Sequence, residues 1–249
     1  SFDLEDRLKL REFLQARGST VAGPLIRNQV SQKRQALTAR LIQGIDSYSQ
    51  PLRTLNWLAT NSEHHLRSPS LSTHQIDTLQ PLIRLFESEH VLTFEDKQLI
   101  FETEENRFYC NGGWLEEFVY SQLVALRDAL PIQDLAMGIN ITRAGHHNDV
   151  IRNELDVAFL ANNQFYLIEC KTRHYKNVSH ENGAGAQTLY KLDSLVDLLA
   201  GTTGKGMLVS YLPLSKWDKQ RATDLGLLTC VGSELQELKS ILKRWVQHT

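Results

Sequence analysis

One stretch constrains this chain more than any other. It runs Asn153-Glu154-Leu155-Asp156-Val157-Ala158-Phe159-Leu160, then Ala161-Asn162-Asn163-Gln164, then Phe165-Tyr166-Leu167-Ile168-Glu169-Cys170-Lys171-Thr172. Two runs rich in β-formers flank an Asn-Asn pair, and Asn tolerates the positive φ that a two-residue hairpin loop demands. A loop of that length fixes the register: Asp156 is set opposite Glu169, and Glu154 opposite Lys171. Alternation along the strands predicts all four side chains on one face, with opposed Cβ atoms roughly 4.5–5.5 Å apart. Two carboxylates that close repel each other. A shared divalent cation removes the repulsion, and Mg²⁺ or Mn²⁺ suits carboxylate oxygens. The spacing therefore predicts a metal site with an amine beside it, a combination suited to phosphate chemistry.

A chain of 249 residues suits one large domain or two small ones. Its 41% hydrophobic and 22% charged residues are ordinary for a globular protein. No apolar run is long enough to span a bilayer, and the N-terminus lacks a signal-peptide pattern. A formal net charge of −2 excludes a globally basic nucleic-acid binder, so any such contact has to come from local basic patches. Cys110, Cys170 and Cys230 are too scattered for a disulfide framework or a zinc cluster, and a reducing, cytoplasmic setting is expected.

The first segment, Leu4 to Arg17, reads as a charged helix with Leu4, Leu8 and Leu14 inward and no strand or core of its own, as in a piece of a longer chain. A second helix is expected from about Val30 to Ile45, with Lys33, Arg34 and Arg40 on a solvated polar side, and a third from Leu52 to His65 with Pro51 in its first turn. Residues 1–66 thus form a helical region. Residues 67–110 read as winged-helix-like: Thr73 caps a helix to about Glu89, and the runs His90–Phe94 and Gln98–Glu102 form a ribbon around an acidic turn. Asn111-Gly112-Gly113 marks a boundary. Beyond it the expected order is a helix from Trp114 to Leu130, a strand over Ala136–Thr142, a polar loop over Arg143–Asn148, the hairpin, a helix to about Ala200, a strand over Gly206–Leu212, a helix over Ser215–Leu225, a short strand over Leu227–Val231 and a closing helix. That order predicts an α/β fold, a mixed sheet flanked by helices.

On the Trp114 helix, Leu115, Phe118, Val119, Leu123 and Leu126 share one side. Glu116 falls about 80° from the centre of that stripe and Glu117 about 180° from it. Glu117 is therefore expected in solvent, and Glu116 is the candidate third acid, unless it serves a structural salt bridge. Glu117 and Glu154 are the other candidates for that place. The structural alternative for the hairpin acids is an ion-pair lattice of Glu154, Lys171 and Asp156, which leaves Glu169 without a cation. Lys171 is placed to hold a water or to meet developing negative charge, or to pair with Glu154. The Cys170 side chain points to the opposite face, while its carbonyl oxygen is available to a metal held by its neighbours. Arg143, His146 and Arg152 before the hairpin, and Arg173 and Lys176 after it, rim one end of the sheet. Gln187 and Lys191 start the next helix and complete a candidate phosphate-binding rim. An ordinary charged loop is the alternative.

The set Glu116, Asp156 and Glu169-Cys170-Lys171, in a helix–strand–hairpin–helix–strand order over residues 111–249, resembles the PD-(D/E)xK nuclease superfamily. Leu155 stands where the family has Pro, and Gln187 with Tyr190 only approximates a helix motif of some relatives. More narrowly, Gly112-Gly113-Trp114-Leu115-Glu116-Glu117, Asn153-Glu154-Leu155-Asp156-Val157 and Ile168-Glu169-Cys170-Lys171-Thr172 are similar to the CARF-linked nucleases of type III CRISPR defence. The resemblance implies a restriction-endonuclease-like fold behind a helical and winged-helix linker. It implies a homodimer that cuts DNA or RNA with Mg²⁺ or Mn²⁺, controlled by cyclic oligoadenylate through a sensor domain whose strand–Gly-loop–helix pattern residues 1–110 lack. A non-catalytic nucleic-acid-binding module with a degenerate nuclease fold is the alternative function, and a purely structural interaction module the third.

Overall fold

A computed structural model describes residues 8–27, 30–62, 65–145, 149–172 and 184–248. The chain begins with α1 (Leu10–Ala16) and a two-residue strand, β1 (Thr20–Val21), followed by α2 (Gln32–Gln43), α3 (Ile45–Thr60) and α4 (Thr73–Ser88). A ribbon of β2 (Leu92–Glu95) and β3 (Gln98–Phe101) and a short α5 (Glu104–Phe108) lead through a wide π-type turn into α6 (Trp114–Val124). Then come β4 (Ile132–Ala144), β5 (Val150–Ala161), β6 (Gln164–Lys171), α7 (Ala184–Ala200), β7 (Lys205–Ser210), α8 (Lys216–Asp224), β8 (Leu228–Val231) and α9 (Leu238–Gln247).

Six strands form one mixed sheet in the order β1-β4-β5-β6-β7-β8. Pairing is antiparallel as far as β6 and parallel from β6 to β8. The connections dictate the change. Asn162 and Asn163, at φ 50° and 60°, make a tight loop that can only return antiparallel, whereas α7 supplies the long crossover that a parallel pair needs. Gln133 pins the loop by accepting from the Asn163 N–H at 2.5 Å and donating to Asn163 Oδ1 at 2.7 Å.

Both faces of the sheet are covered. Val157, Phe159, Tyr166 and Ile168 are buried in a core shared with α2, α3, α4, α6, α9 and the β2–β3 ribbon. Ala158, Leu160, Phe165 and Leu167 are buried on the other side with Leu10 and Leu14 of α1 and Leu189, Leu192 and Leu199 of α7. Each fully buried Leu or Phe contributes about 1.5–3 kcal/mol, which makes β5 and β6 the rigid centre on which a site can be mounted.

The helical part differs from expectation at several points. The N-terminal segment is not apart from the sheet: Thr20 and Val21 pair with Thr142 and Ile141, and Phe13 stacks on Phe165 at 5.1 Å between ring centroids. Arg143 holds that segment in place by donating to the Arg17 carbonyl at 2.6 Å and Ser19 Oγ at 2.7 Å. Pro51 lies inside α3, not in its first turn; burial of Ile45, Pro51, Leu52 and Leu55 on one side outweighs the hydrogen bond that Pro removes. Ser72, not Thr73, caps α4, in a reciprocal capping box with Gln75. The helix and ribbon of residues 73–101 stand where the sequence places them. β4 is longer than expected and takes in Arg143, read from the sequence as loop.

Candidate active site

The hairpin keeps the expected register from Ala161 and Gln164 to Val157 and Ile168, and there the β5–β6 ladder stops. β6 continues beside β7, with Glu169 against Leu208 and Lys171 against Ser210. The strands therefore fork at the two acids. Asp156 turns its carboxylate into the fork, and Oδ2 accepts the Cys170 backbone N–H at 2.6 Å in place of a strand carbonyl. The expected Asp156–Glu169 and Glu154–Lys171 ladder pairs do not form, and the lattice of Glu154, Lys171 and Asp156 is not formed among the described residues.

The β4–β5 ladder is interrupted at the same level. It joins Met137 to Val157 and Ile139 to Leu155 and skips Gly138 and Asp156. Gly138 has φ +58°, a left-handed conformation that other residues resist. Side-chain alternation breaks at this point. In β5, Val157 and Phe159 enter one core while Leu155 enters the other, and in β4 Ala136, Ile139 and Ile141 share a core although odd and even positions ought to part. A strand discontinuity of this kind re-aims a side chain, so strict alternation does not carry from Asp156 to Glu154.

Glu116 arrives from the first turn of α6. Gly112, at φ +112°, lets that helix start against the end of β6: a Cβ there would stand 2.1 Å from Thr172 Oγ1. Asn56 of α3 clamps the same point by donating to the Thr172 carbonyl at 3.0 Å. Glu116 is half-buried, and burial first, then the charges of Asp156, Glu154, Glu169 and Glu117, push its carboxyl up to about 9. Asp156 is pushed up to about 7, by burial first and then by Glu169, against the pull of the Cys170 N–H and Lys191. Burial raises both acids most and their neighbours' charge adds to it, and a bound cation would relieve the second of these causes. The acids' hard oxygen donors fit Mg²⁺ or Mn²⁺. Among the described residues no three His, Cys, Asp or Glu side chains stand ready-gathered around one point.

Glu169 is buried, and Lys191 of α7 reaches it, with Nζ 3.6 Å from Oε1. Lys171 is half-buried and has no ion pair among the described residues. The Cys170 thiol packs against the α6-side core and is pushed up by burial and then by Asp156, which leaves its carbonyl, not its sulfur, as a donor.

Glu117 overturns an expectation. It is 8% exposed, not solvated, and its Oε1 accepts from Arg34 at 2.7 Å. Arg34 also donates to Asn106 at 3.0 Å and lies 5.1 Å from the Tyr109 ring centroid, so it is not on a solvated face either. The helix α2 packs over the side of α6 that a wheel of α6 alone assigns to water.

A sequence profile of the Card1-like endonuclease domain matches residues 103–249, more than half of the chain. The chain belongs to that family. Among solved structures, protein VC1899 from Vibrio cholerae is 34% identical with a TM-score of 0.86, over 97% of this chain and 62% of that one. Can2 from Sulfobacillus thermosulfidooxidans, solved in complex with cyclic tetra-adenylate, is 26% identical with a TM-score of 0.73, over 98% of this chain and 62% of that one. The chain thus spans 62% of the length of each. No curated protein matches it significantly.

In this Card1-like endonuclease the residues proposed from sequence for nucleic acid divide. Arg152 is exposed on β5 and lines an open groove of about 630 Å³ with Asn140, Thr142, Asn153 and Glu154. Gln187 and Lys191 are exposed on α7. Arg143 is occupied by the N-terminal segment. His146, Arg173 and Lys176 lie outside the described residues. The sequence reading missed Arg34 and Asn56, which no local pattern distinguishes, and the contact of Lys191 with Glu169. No described helix is long and apolar enough to cross a membrane.

Proposed function

We propose that this Card1-like endonuclease domain hydrolyses phosphodiester bonds of DNA or RNA with a divalent ion held by Glu116, Asp156 and Glu169. One observation carries the reading. Acids from a helix and two forking strands lie within electrostatic reach of one another, and Glu116 and Asp156 are driven toward their protonated forms by burial first and by their neighbours' charge second. Lys191 meets Glu169 from the surface, but neither Glu116 nor Asp156 has an ion pair of its own among the described residues. The Cys170 carbonyl adds a further oxygen donor. Bound there, Mg²⁺ or Mn²⁺ supplies water activation and screening of the phosphate.

The protein's own groups do the remainder. Lys171, without a carboxylate partner among the described residues, is available to orient the attacking water and to meet the charge that grows on phosphorus-bound oxygens. The fork holds Asp156 Oδ2 by its backbone hydrogen bond, and Oδ1, without a hydrogen-bond partner among the described residues, is available to the ion. Arg152, Gln187 and Lys191 form the described part of the phosphate-binding rim, with His146, Arg173 and Lys176 as its further members.

The wider role follows from the motifs and from Can2, whose structure holds cyclic tetra-adenylate. We extend to this chain a place in type III CRISPR defence as a homodimer switched on by cyclic oligoadenylate bound to a sensor domain. Incubation of the longest native protein with plasmid, single-stranded DNA and RNA, in Mn²⁺, with and without cyclic tetra-adenylate, tests both levels. Cleavage that needs Mn²⁺ and is lost in Asp156→Ala and Lys171→Ala is the expected result. Salt-dependent binding that ignores EDTA, with no cleavage, would instead mark a binding module.

A further inference from the structure

The site holds two lysines, and they are not equivalent. Lys171 is adjacent to the acids in sequence and pairs with none of them among the described residues. Lys191 comes from α7, across the face of the sheet, and its ammonium already rests 3.6 Å from Glu169 Oε1. The exposures differ sharply: the Lys191 side chain is 52% exposed and that of Glu169 10%. The carboxylate is buried, whereas the ammonium sits on a long stem that is half exposed to water. It can leave without disturbing packing. Its charge also reaches Asp156.

Charge balance says when it would leave. With Glu116, Asp156, Glu169 and the neighbouring Glu154 all charged, a divalent ion and the two ammoniums bring the site to neutrality, so an ion on Glu169 makes the ammonium there unnecessary. Glu169 has then exchanged a monovalent partner for a divalent one, and an incoming phosphodiester is an anion that the released ammonium can meet. We propose that Lys191 is a placeholder cation. Its ammonium neutralises Glu169 while no divalent ion is bound, competes with that ion for the carboxylate, and on displacement transfers to a phosphate oxygen of the nucleic acid. This rests on the metal-dependent reading above and assigns Lys191 a positioning role within it.

Competition has a signature that simple phosphate contact lacks: removing the lysine tightens metal binding. Mn²⁺ affinity is measured by calorimetry or electron paramagnetic resonance on metal-free wild type, Lys191→Gln and Lys191→Arg, with no nucleic acid present. Lys191→Gln is expected to bind Mn²⁺ about threefold more tightly, the scale of a half-exposed ion pair, and Lys191→Arg to stay near wild type. The second half is read from an oligonucleotide in Ca²⁺. There Lys191→Gln is expected to lower the slope of log affinity against log salt by about 0.7–0.9, one phosphate contact. Unchanged or weaker Mn²⁺ binding in a Lys191→Gln protein that melts normally overturns the competition. An unchanged salt slope overturns the transfer. Failure of wild type to take up Mn²⁺ at all overturns the metal reading itself, and this one with it.

Discussion

Glu116 and Glu117 are neighbours in the first turn of one helix, and burial raises the proton affinity of both. What opposes burial differs. Glu117 faces α2, where Arg34 donates to it at 2.7 Å from a pocket of its own, so a permanent cation offsets the cost. Glu116 faces the fork, where Asp156, Glu154 and Glu169 add to the cost. One side of the turn is a closed ion pair that belongs to the fold. The other is a set of like charges met only from its edge, by the half-exposed Lys191 at Glu169. The two sides part not by burial but by how firmly the chain holds the counter-charge: Arg34 is 18% exposed and 2.7 Å from Glu117, whereas Lys191 is 52% exposed and 3.6 Å from Glu169.

The largest expected effects are crossed, and they would break this contrast if they failed to cross. Glu116→Gln and Asp156→Asn are expected to lower the cleavage rate by about 10²–10³-fold or more, the scale of removing one preorganised electrostatic group, while the protein stays folded by circular dichroism. Arg34→Met is expected to do the reverse. It strands Glu117 as a buried, uncompensated acid, at a cost of about 3 kcal/mol, seen as a fall in melting temperature of about 6–12 °C. Its cleavage rate, measured well below that temperature, should fall far less than that of Glu116→Gln. Equal losses of both properties in all three variants would show that the two faces are one unit.

The contrast also marks the limit of what the chain reveals by itself. The Asn162-Asn163 loop is legible because its length allows one register, and that register holds as far as Val157 and Ile168. The fork is not legible, because the break at its level sits at Gly138 in another strand, and a lone Gly in an apolar run does not announce a left-handed φ. A wheel centred on one stripe assigns Glu117 to water. Yet Trp114, Tyr120 and the half-buried Phe118 lie around much of the same helix, and a helix apolar on so many sides is enclosed. That signal is present in the chain. The identity of the partner is not, since Arg34 reads from its own helix as one cation among several. The mixed sheet and its flanking helices follow from element order. The helical edges follow less well because tertiary packing sets them, as at Pro51.

An external cation sharpens the contrast by a smaller amount. At pH 8 and at a hundredfold excess over its dissociation constant, Mn²⁺ is expected to stabilise the protein by about 2.7 kcal/mol. Thermal melting at pH 5.5 should show a much smaller shift, because protons then occupy Asp156 and Glu116. An equal shift at both pH values would place the ion away from these acids.

The smallest effect needs no metal. An Asp ordinarily titrates near 3.8, and Asp156 in the folded protein is pushed up to about 7. Between those values the unfolded chain has released its proton while the folded chain still holds it, so the folded state binds more protons and stability falls as pH rises. The loss from this group starts near pH 4 and levels off above about pH 7. An amide in place of this carboxylate would keep an oxygen for the Cys170 N–H and carry no charge at any pH. Asp156→Asn is therefore expected to melt higher than wild type at pH 8 in EDTA, by about 1–2 kcal/mol or roughly 2–8 °C, and to match it at pH 4. Glu117→Gln should show no such gain, since removing that charge strands Arg34. A metal-free Asp156→Asn that melts lower than wild type at pH 8 would mean that Lys191 already compensates the Asp156 charge in full, and the distinction between the two sides of α6 would be lost.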